Sequence, residues 1–245
     1  MKTIHGVIPP IITPIDNQEH VDEKAFRKLL RYSVDNGLHG IFVAGSNGEC
    51  LALTQAERNR AISIALDEVG SQVPVICGVM DSSTQRVIDN IKALEQMGGK
   101  YAVVTPVFYA RHATQYETVR HFEEISKNTD AQLIIYNIPP FTGQNLTPDT
   151  IFEIAQIEKV CGLKDSSGNM GNFMKCLKHF RSRQDFFLMQ GATALSAASL
   201  LLGADGYVPS LAPAFPLPFV KLYEAASTGD IAMTTLWNDV VMEMD

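Results

Sequence analysis

Eight short apolar runs recur along the chain, each followed by a small-residue loop and then an amphipathic helix. This alternation constrains the fold more than any other feature. The runs cover residues 7–12, 40–44, 74–78, 101–105, 132–137, 160–164, 186–190 and 206–209. Gly40-Ile41-Phe42-Val43-Ala44 and Leu133-Ile134-Ile135-Tyr136 are almost continuously hydrophobic. Strands of that kind are buried on both faces, as parallel strands covered by helices are. Eight strand–helix units in 245 residues predict a closed (β/α)8 TIM barrel of the α/β class, with an open doubly wound sheet as the structural alternative.

The intervening segments carry helical spacing. Phe26, Leu29, Leu30 and Val34 make one apolar stripe, with Gly37 as its stop. Thr54-Gln55-Ala56-Glu57 predicts a capping box opening the next helix, whose buried stripe is Ile62, Ala65, Leu66 and Val69. Thr147-Pro148 is an N-cap followed by proline at the first helical position. Phe173, Cys176, Leu177 and Phe180 repeat the stripe, as do Phe219, Leu222, Tyr223 and Ala226 before Gly229. The expected division is a barrel over 1–229 and the start of a C-terminal helical segment over 230–245, with Leu236, Val240, Val241 and Met244 on one face.

Composition removes several function classes. Lys plus Arg number 20 against 27 Asp plus Glu, a net charge of −7, which leaves no basic footprint for nucleic acid or an anionic membrane. No apolar run approaches the roughly 18–20 residues of a membrane span, and the N-terminus lacks a signal-peptide core. Cys50, Cys77, Cys161 and Cys176 lie far apart with no C-x-x-C pair, as expected of reduced thiols in a cytoplasmic protein. His121 and Glu124 have i, i+3 spacing but no third ligand, so no metal site is expected and a solvated helix face is the reading.

Active sites of such barrels use the C-terminal ends of strands and the loops that follow. Lys164 ends the sixth run, where an ammonium is costly to desolvate. A depressed pKa there yields a neutral amine able to attack a ketone and form a Schiff base. The alternatives are a lysine snorkelling at the strand end or paired with Asp165. Tyr136 ends the adjacent run and suits a proton shuttle, or else a core tyrosine. Gly45-Ser46-Asn47-Gly48 offers backbone N–H groups for a carboxylate, or is an ordinary turn.

Gly45-Ser46-Asn47-Gly48-Glu49, Tyr136-Asn137-Ile138-Pro139 and Gly162-Leu163-Lys164-Asp165-Ser166-Ser167-Gly168 resemble the dihydrodipicolinate synthase/N-acetylneuraminate lyase family of class I pyruvate aldolases. The resemblance runs from Gly6 onward. It implies a lyase or aldolase that joins or splits pyruvate and an aldehyde through a Schiff base, without metal or organic cofactor. It also implies a homo-oligomer, a dimer or tetramer. Lys164 would form the imine and Tyr136 would move protons. Ser46 and Asn47 would hold the pyruvate carboxylate, Ser46 also relaying protons. Asn47 departs from the family's second hydroxyl residue, which weakens a relay there. Gly191 and Val208 match positions lining the pyruvate pocket. The second tyrosine falls near Phe108-Tyr109, and Tyr109 is the expected residue.

Two departures carry information. Phe141 stands where the dihydrodipicolinate synthases place an arginine for the substrate's distal carboxylate, and a phenyl ring supplies no charge-assisted contact. A neutral, sugar-like or aromatic aldehyde is therefore expected. Arg111, in the preceding loop, is the cation that would undo this argument. The alternatives are 4-hydroxy-tetrahydrodipicolinate synthase activity or a non-catalytic keto-acid-binding barrel. The second departure is length: the family's C-terminal bundle is longer, so the chain ending at Asp245 looks shortened or incomplete.

Overall fold

A computed structural model describes residue 2 and residues 4–244; Met1, Thr3 and Asp245, including the end of the expected C-terminal segment, lie outside the described residues. In chain order the elements are β1 (Gly6–Val7), α1 (Glu23–Asp35), β2 (Ile41–Val43), α2 (Gln55–Val69), β3 (Val75–Gly78), α3 (Thr84–Gln96), β4 (Tyr101–Val104), α4 (Gln115–Lys127) and β5 (Gln132–Asn137). There follow α5 (Pro139–Thr142), α6 (Pro148–Ile154), β6 (Val160–Asp165), α7 (Met170–Phe180), β7 (Phe187–Gln190), α8 (Ser196–Leu201), β8 (Gly206–Tyr207), α9 (Pro216–Ser227) and α10 (Ile231–Met244). The strand order is β1-β8-β7-β6-β5-β4-β3-β2, with every pair parallel.

The sheet closes on itself. Pro10 bridges Phe42 in parallel, Phe42 N–H donates to the Pro9 carbonyl at 3.0 Å, and Ile11 N–H donates to the Phe42 carbonyl at 2.9 Å. Closure excludes the open doubly wound sheet and gives the (β/α)8 barrel. β1 is regular over two residues against the six expected, because Pro9 and Pro10 carry no N–H to continue a ladder. All eight strands otherwise fall where the apolar runs placed them, to within two residues at either end.

The barrel interior and its facing helices form one hydrophobic core that includes Phe26, Ile41, Phe122, Ile135, Leu163 and Phe180. A second cluster joins β8, α9 and α10 around Tyr207, Phe219, Leu222 and Val241. The Tyr207 hydroxyl donates to the Phe219 carbonyl at 2.6 Å, so the buried phenol is satisfied. Among the described residues no helix is long and apolar enough to cross a membrane.

Three local expectations are corrected. Thr54 caps α2 by accepting from Glu57 N–H, but Glu57 does not complete the box. Its carboxylate instead accepts from Val21 N–H at 2.6 Å and meets His20 Nδ1 at 3.1 Å, both from the loop before α1. A complete capping box forms at Thr114 and Glu117. On α10 the inward face runs through Thr234, Trp237, Val241 and Met244, while Leu236 points outward. The polar Thr234 hides its hydroxyl on the Asp230 carbonyl at 2.6 Å, which a hydropathy stripe does not register. His121 lies on the buried rather than the solvated face of α4. Its Nδ1 pairs with the Thr84 hydroxyl at 2.9 Å, and burial pushes its pKa down to about 3.

Candidate active site

The C-terminal ends of the strands gather the residues selected from the sequence. In the β5–β6 ladder Tyr136 lies directly beside Lys164, so both side chains leave the sheet on the same, inward face. Lys164 is 4% exposed. Its Nζ stands 4.0 Å from the centre of the Tyr136 ring and 4.6 Å from that of Phe42. Burial alone drives its pKa from 10.5 down to about 7.

Asp165 does not pair with it. Successive strand residues face opposite ways. The Asp165 carboxylate accepts from Asn137 Nδ2 at 3.0 Å, Ser167 N–H at 2.9 Å and the Ser167 hydroxyl at 2.6 Å. The lysine is therefore neither snorkelling nor ion-paired, and the protein bears the cost of burying an amine.

Tyr136 is buried, and burial pushes its phenol up to about 12. The Ser46 and Ser166 hydroxyls reach the phenol and pull in the opposite direction. Ser166 carries no assigned role in the sequence reading, although it sits in the quoted lysine motif. Only the turn after β6 reveals that it faces Tyr136.

Ser46 and Asn47 occupy the turn after β2, where Glu49 N–H donates to the Ser46 carbonyl at 3.1 Å. The N–H groups of Ser46 and Asn47 donate to no acceptor among the described residues. The turn begins at Ala44, which adopts a left-handed φ of 53°. Its carbonyl lies so close to β3 that a Cβ on Gly78 would stand 1.9 Å from it, so only glycine permits the approach.

Gly191 follows β7, and its N–H donates to the Asp165 carbonyl at 2.7 Å. A Cβ there would stand 2.0 Å from the Ser166 hydroxyl and 3.2 Å from Lys164 Cε. Val208 is buried one residue beyond β8 and continues the ladder by donating to the Gln190 carbonyl at 2.8 Å.

Beside Ser46 opens a cavity of about 240 Å³, walled by Ser46, Glu49, Met80, Thr105, Phe108, Ile138 and Phe141. The wall is chiefly apolar. Phe141 sits at its rim on α5. Arg111 does not enter: its Nη1 donates to the Gly143 carbonyl at 3.1 Å, in a separate surface depression.

The second-tyrosine candidate does not enter the cavity of its own chain. Tyr109 is 97% exposed, because a left-handed φ of 67° turns the loop outward at that residue. Phe108 fills the cavity wall in its place.

The model of the dihydrodipicolinate synthetase family matches residues 3–245. An uncharacterized DapA-like lyase of Halobacterium salinarum is 34% identical over 228 residues, 93% of this chain and 73% of that protein. Among solved structures, a 2-keto 3-deoxygluconate aldolase from Picrophilus torridus is 30% identical with a TM-score of 0.89, covering 98% of this chain and 86% of that one. A prophage protein of the dihydrodipicolinic acid synthase family from E. coli K12, in complex with pyruvate, is 25% identical with a TM-score of 0.93. That match covers 98% of this chain and 81% of the other. The chain belongs to the dihydrodipicolinate synthetase family.

Proposed function

We infer that this member of the dihydrodipicolinate synthetase family, a class I aldolase, uses Lys164 to form a Schiff base with pyruvate and joins or releases a neutral aldehyde. The observation that carries the reading is the Lys164 amine, buried without a carboxylate partner and poised near pH 7. At that pH roughly half the molecules hold it neutral and nucleophilic.

In this reading the pyruvate carboxylate lies against the free N–H groups of Ser46 and Asn47. Val208 walls the pocket, and the missing side chain of Gly191 leaves room beside Lys164. The amine adds to the keto carbon, and the carbinolamine loses water as Tyr136, through Ser46, protonates the departing hydroxyl to leave the iminium. The proton lent to the departing water leaves Tyr136 as a phenolate, which regains it from the pyruvate methyl group to give the enamine, whose terminal carbon attacks the aldehyde carbon. The new alkoxide takes its proton from Tyr136, and the water that hydrolyses the iminium returns a proton to Tyr136 and frees Lys164. Cleavage runs the same steps backwards. Every residue named belongs to the barrel over 1–229, which is taken as the catalytic unit; 230–245 contributes none of them. The exposed Tyr109 ring suits a dimer or tetramer in which a neighbouring chain covers it.

The family's name favours a second reading, condensation with aspartate semialdehyde. The apolar Phe141 rim and the diverted Arg111 oppose it. Steady-state assays of pyruvate with neutral aldehydes and with aspartate semialdehyde separate the two. The first reading predicts that a neutral aldehyde has the higher kcat/KM, and the reverse order establishes the second.

A further inference from the structure

Among the described residues six threonines are buried, and five of them place their hydroxyls on protein partners. Thr129 donates to Glu95 at 2.5 Å, Thr142 to the Ile138 carbonyl at 3.2 Å and Thr234 to the Asp230 carbonyl at 2.6 Å. Thr118 meets His112 at 3.0 Å, and Thr150 meets Thr147 at 2.8 Å. Thr105 is 4% exposed, and its hydroxyl has no partner among the described residues. An unpaired buried hydroxyl is costly, so a position that retains one calls for an explanation.

Its direction follows from register. β4 and β5 pair with Val104 beside Ile135, and one further step along both strands sets Thr105 beside Tyr136. Neighbours in register share a face, so Thr105 points inward as Tyr136 and Lys164 do. It also walls the 240 Å³ cavity, together with Ser46 and the apolar Met80, Phe108 and Ile138.

Strand order then decides which part of a substrate it meets. β5 lies between β4 and β6, so Tyr136 separates Thr105 from Lys164. The pyruvate carbons attach at Lys164, on the far side of Tyr136. The aldehyde carbon must approach Tyr136 to receive its proton, and what it carries extends towards β4.

We propose that Thr105 is a specificity-determining contact, whose hydroxyl hydrogen-bonds a hydroxyl oxygen carried next to the reacting carbon of the aldehyde. This rests on the Lys164 reading above. In a cavity walled mainly by apolar side chains, a fixed hydroxyl that has no protein partner among the described residues distinguishes a hydroxylated aldehyde from its deoxy counterpart, because the deoxy molecule leaves that hydroxyl unpaired.

The test uses matched aldehydes, lactaldehyde against propanal and 2-hydroxybenzaldehyde against benzaldehyde, each condensed with pyruvate by the wild-type enzyme, Thr105→Val and Thr105→Ser. The expected result is a wild-type preference for the hydroxylated member of at least one pair. In Thr105→Val that preference collapses by about tenfold in kcat/KM, and Thr105→Ser retains it. Equal loss for both members of each pair, or an unchanged preference in Thr105→Val, overturns the contact. Borohydride trapping of the wild-type enzyme with pyruvate alone reads Lys164 without any aldehyde. Failure of trapping therefore overturns the earlier reading, whereas intact trapping with an unchanged aldehyde preference overturns only Thr105. Intact trapping with no turnover of any of the four aldehydes overturns the contact and the neutral-aldehyde reading together.

Discussion

Lys164 shows how a single burial sets chemistry. No acid stands beside it to hold the proton, and two aromatic faces recover only part of the lost hydration. The amine therefore titrates near 7, and kcat/KM for pyruvate is predicted to fall about tenfold per pH unit below that value and to level off above it. A flat profile between pH 5 and 7 would remove Lys164 as the titrating group. Tyr136 is the complementary case, with a phenol held protonated up to about 12 and in reach of Ser46 and Ser166. Tyr136→Phe preserves the ring against Phe42 and Lys164 and removes the proton carrier, so kcat is expected to drop by about 10²–10⁴. Circular dichroism confirms that the fold survives, and an unchanged rate would return Tyr136 to the core.

At the scale of elements, the site depends on close contacts between successive strand ends. Asn137 ties β5 to β6 by donating from Nδ2 to Asp165 at 3.0 Å, and its Oδ1 accepts from Leu146 N–H at 3.1 Å. Gly191 brings the β7 end against the same lysine, and a methyl group there strikes the Ser166 hydroxyl and presses on Lys164 Cε. Gly191→Ala is thus predicted to keep the barrel but displace the lysine, reducing pyruvate trapping more than tenfold. Trapping at the wild-type rate would show that the loop yields freely. Much at this scale was legible from sequence. Continuous apolar runs placed all eight strands, and the Lys164 and Tyr136 positions followed from strand ends alone. The failures share one cause, side chains whose partners come from distant elements. Glu57 turns to Val21, His121 buries itself against Thr84, and Ser166 and Thr105 acquire meaning only from the register of neighbouring strands. The exposed Tyr109 depends on one left-handed residue in a loop, which no periodicity announces.

For the whole molecule, the same lysine sets function against stability. In the unfolded chain Lys164 binds its proton up to about pH 10.5, and in the fold only up to about 7. The unfolded state therefore binds more protons between those values, and the stability deficit shrinks as pH rises through that window. Lys164→Met removes the deficit. Its advantage over the wild type is predicted to approach 4 kcal/mol at pH 7, as an order of magnitude, and to narrow by roughly 2 kcal/mol by pH 9. Urea unfolding of both proteins at the two pH values measures it, and an advantage independent of pH would mean that Lys164 is not desolvated. The central claim, that this buried amine is the nucleophile, is tested most directly by borohydride reduction with pyruvate followed by peptide mass spectrometry. The account predicts one reduced pyruvate adduct, on Lys164, and none in Lys164→Ala. An adduct on any other lysine that persists in Lys164→Ala would contradict it.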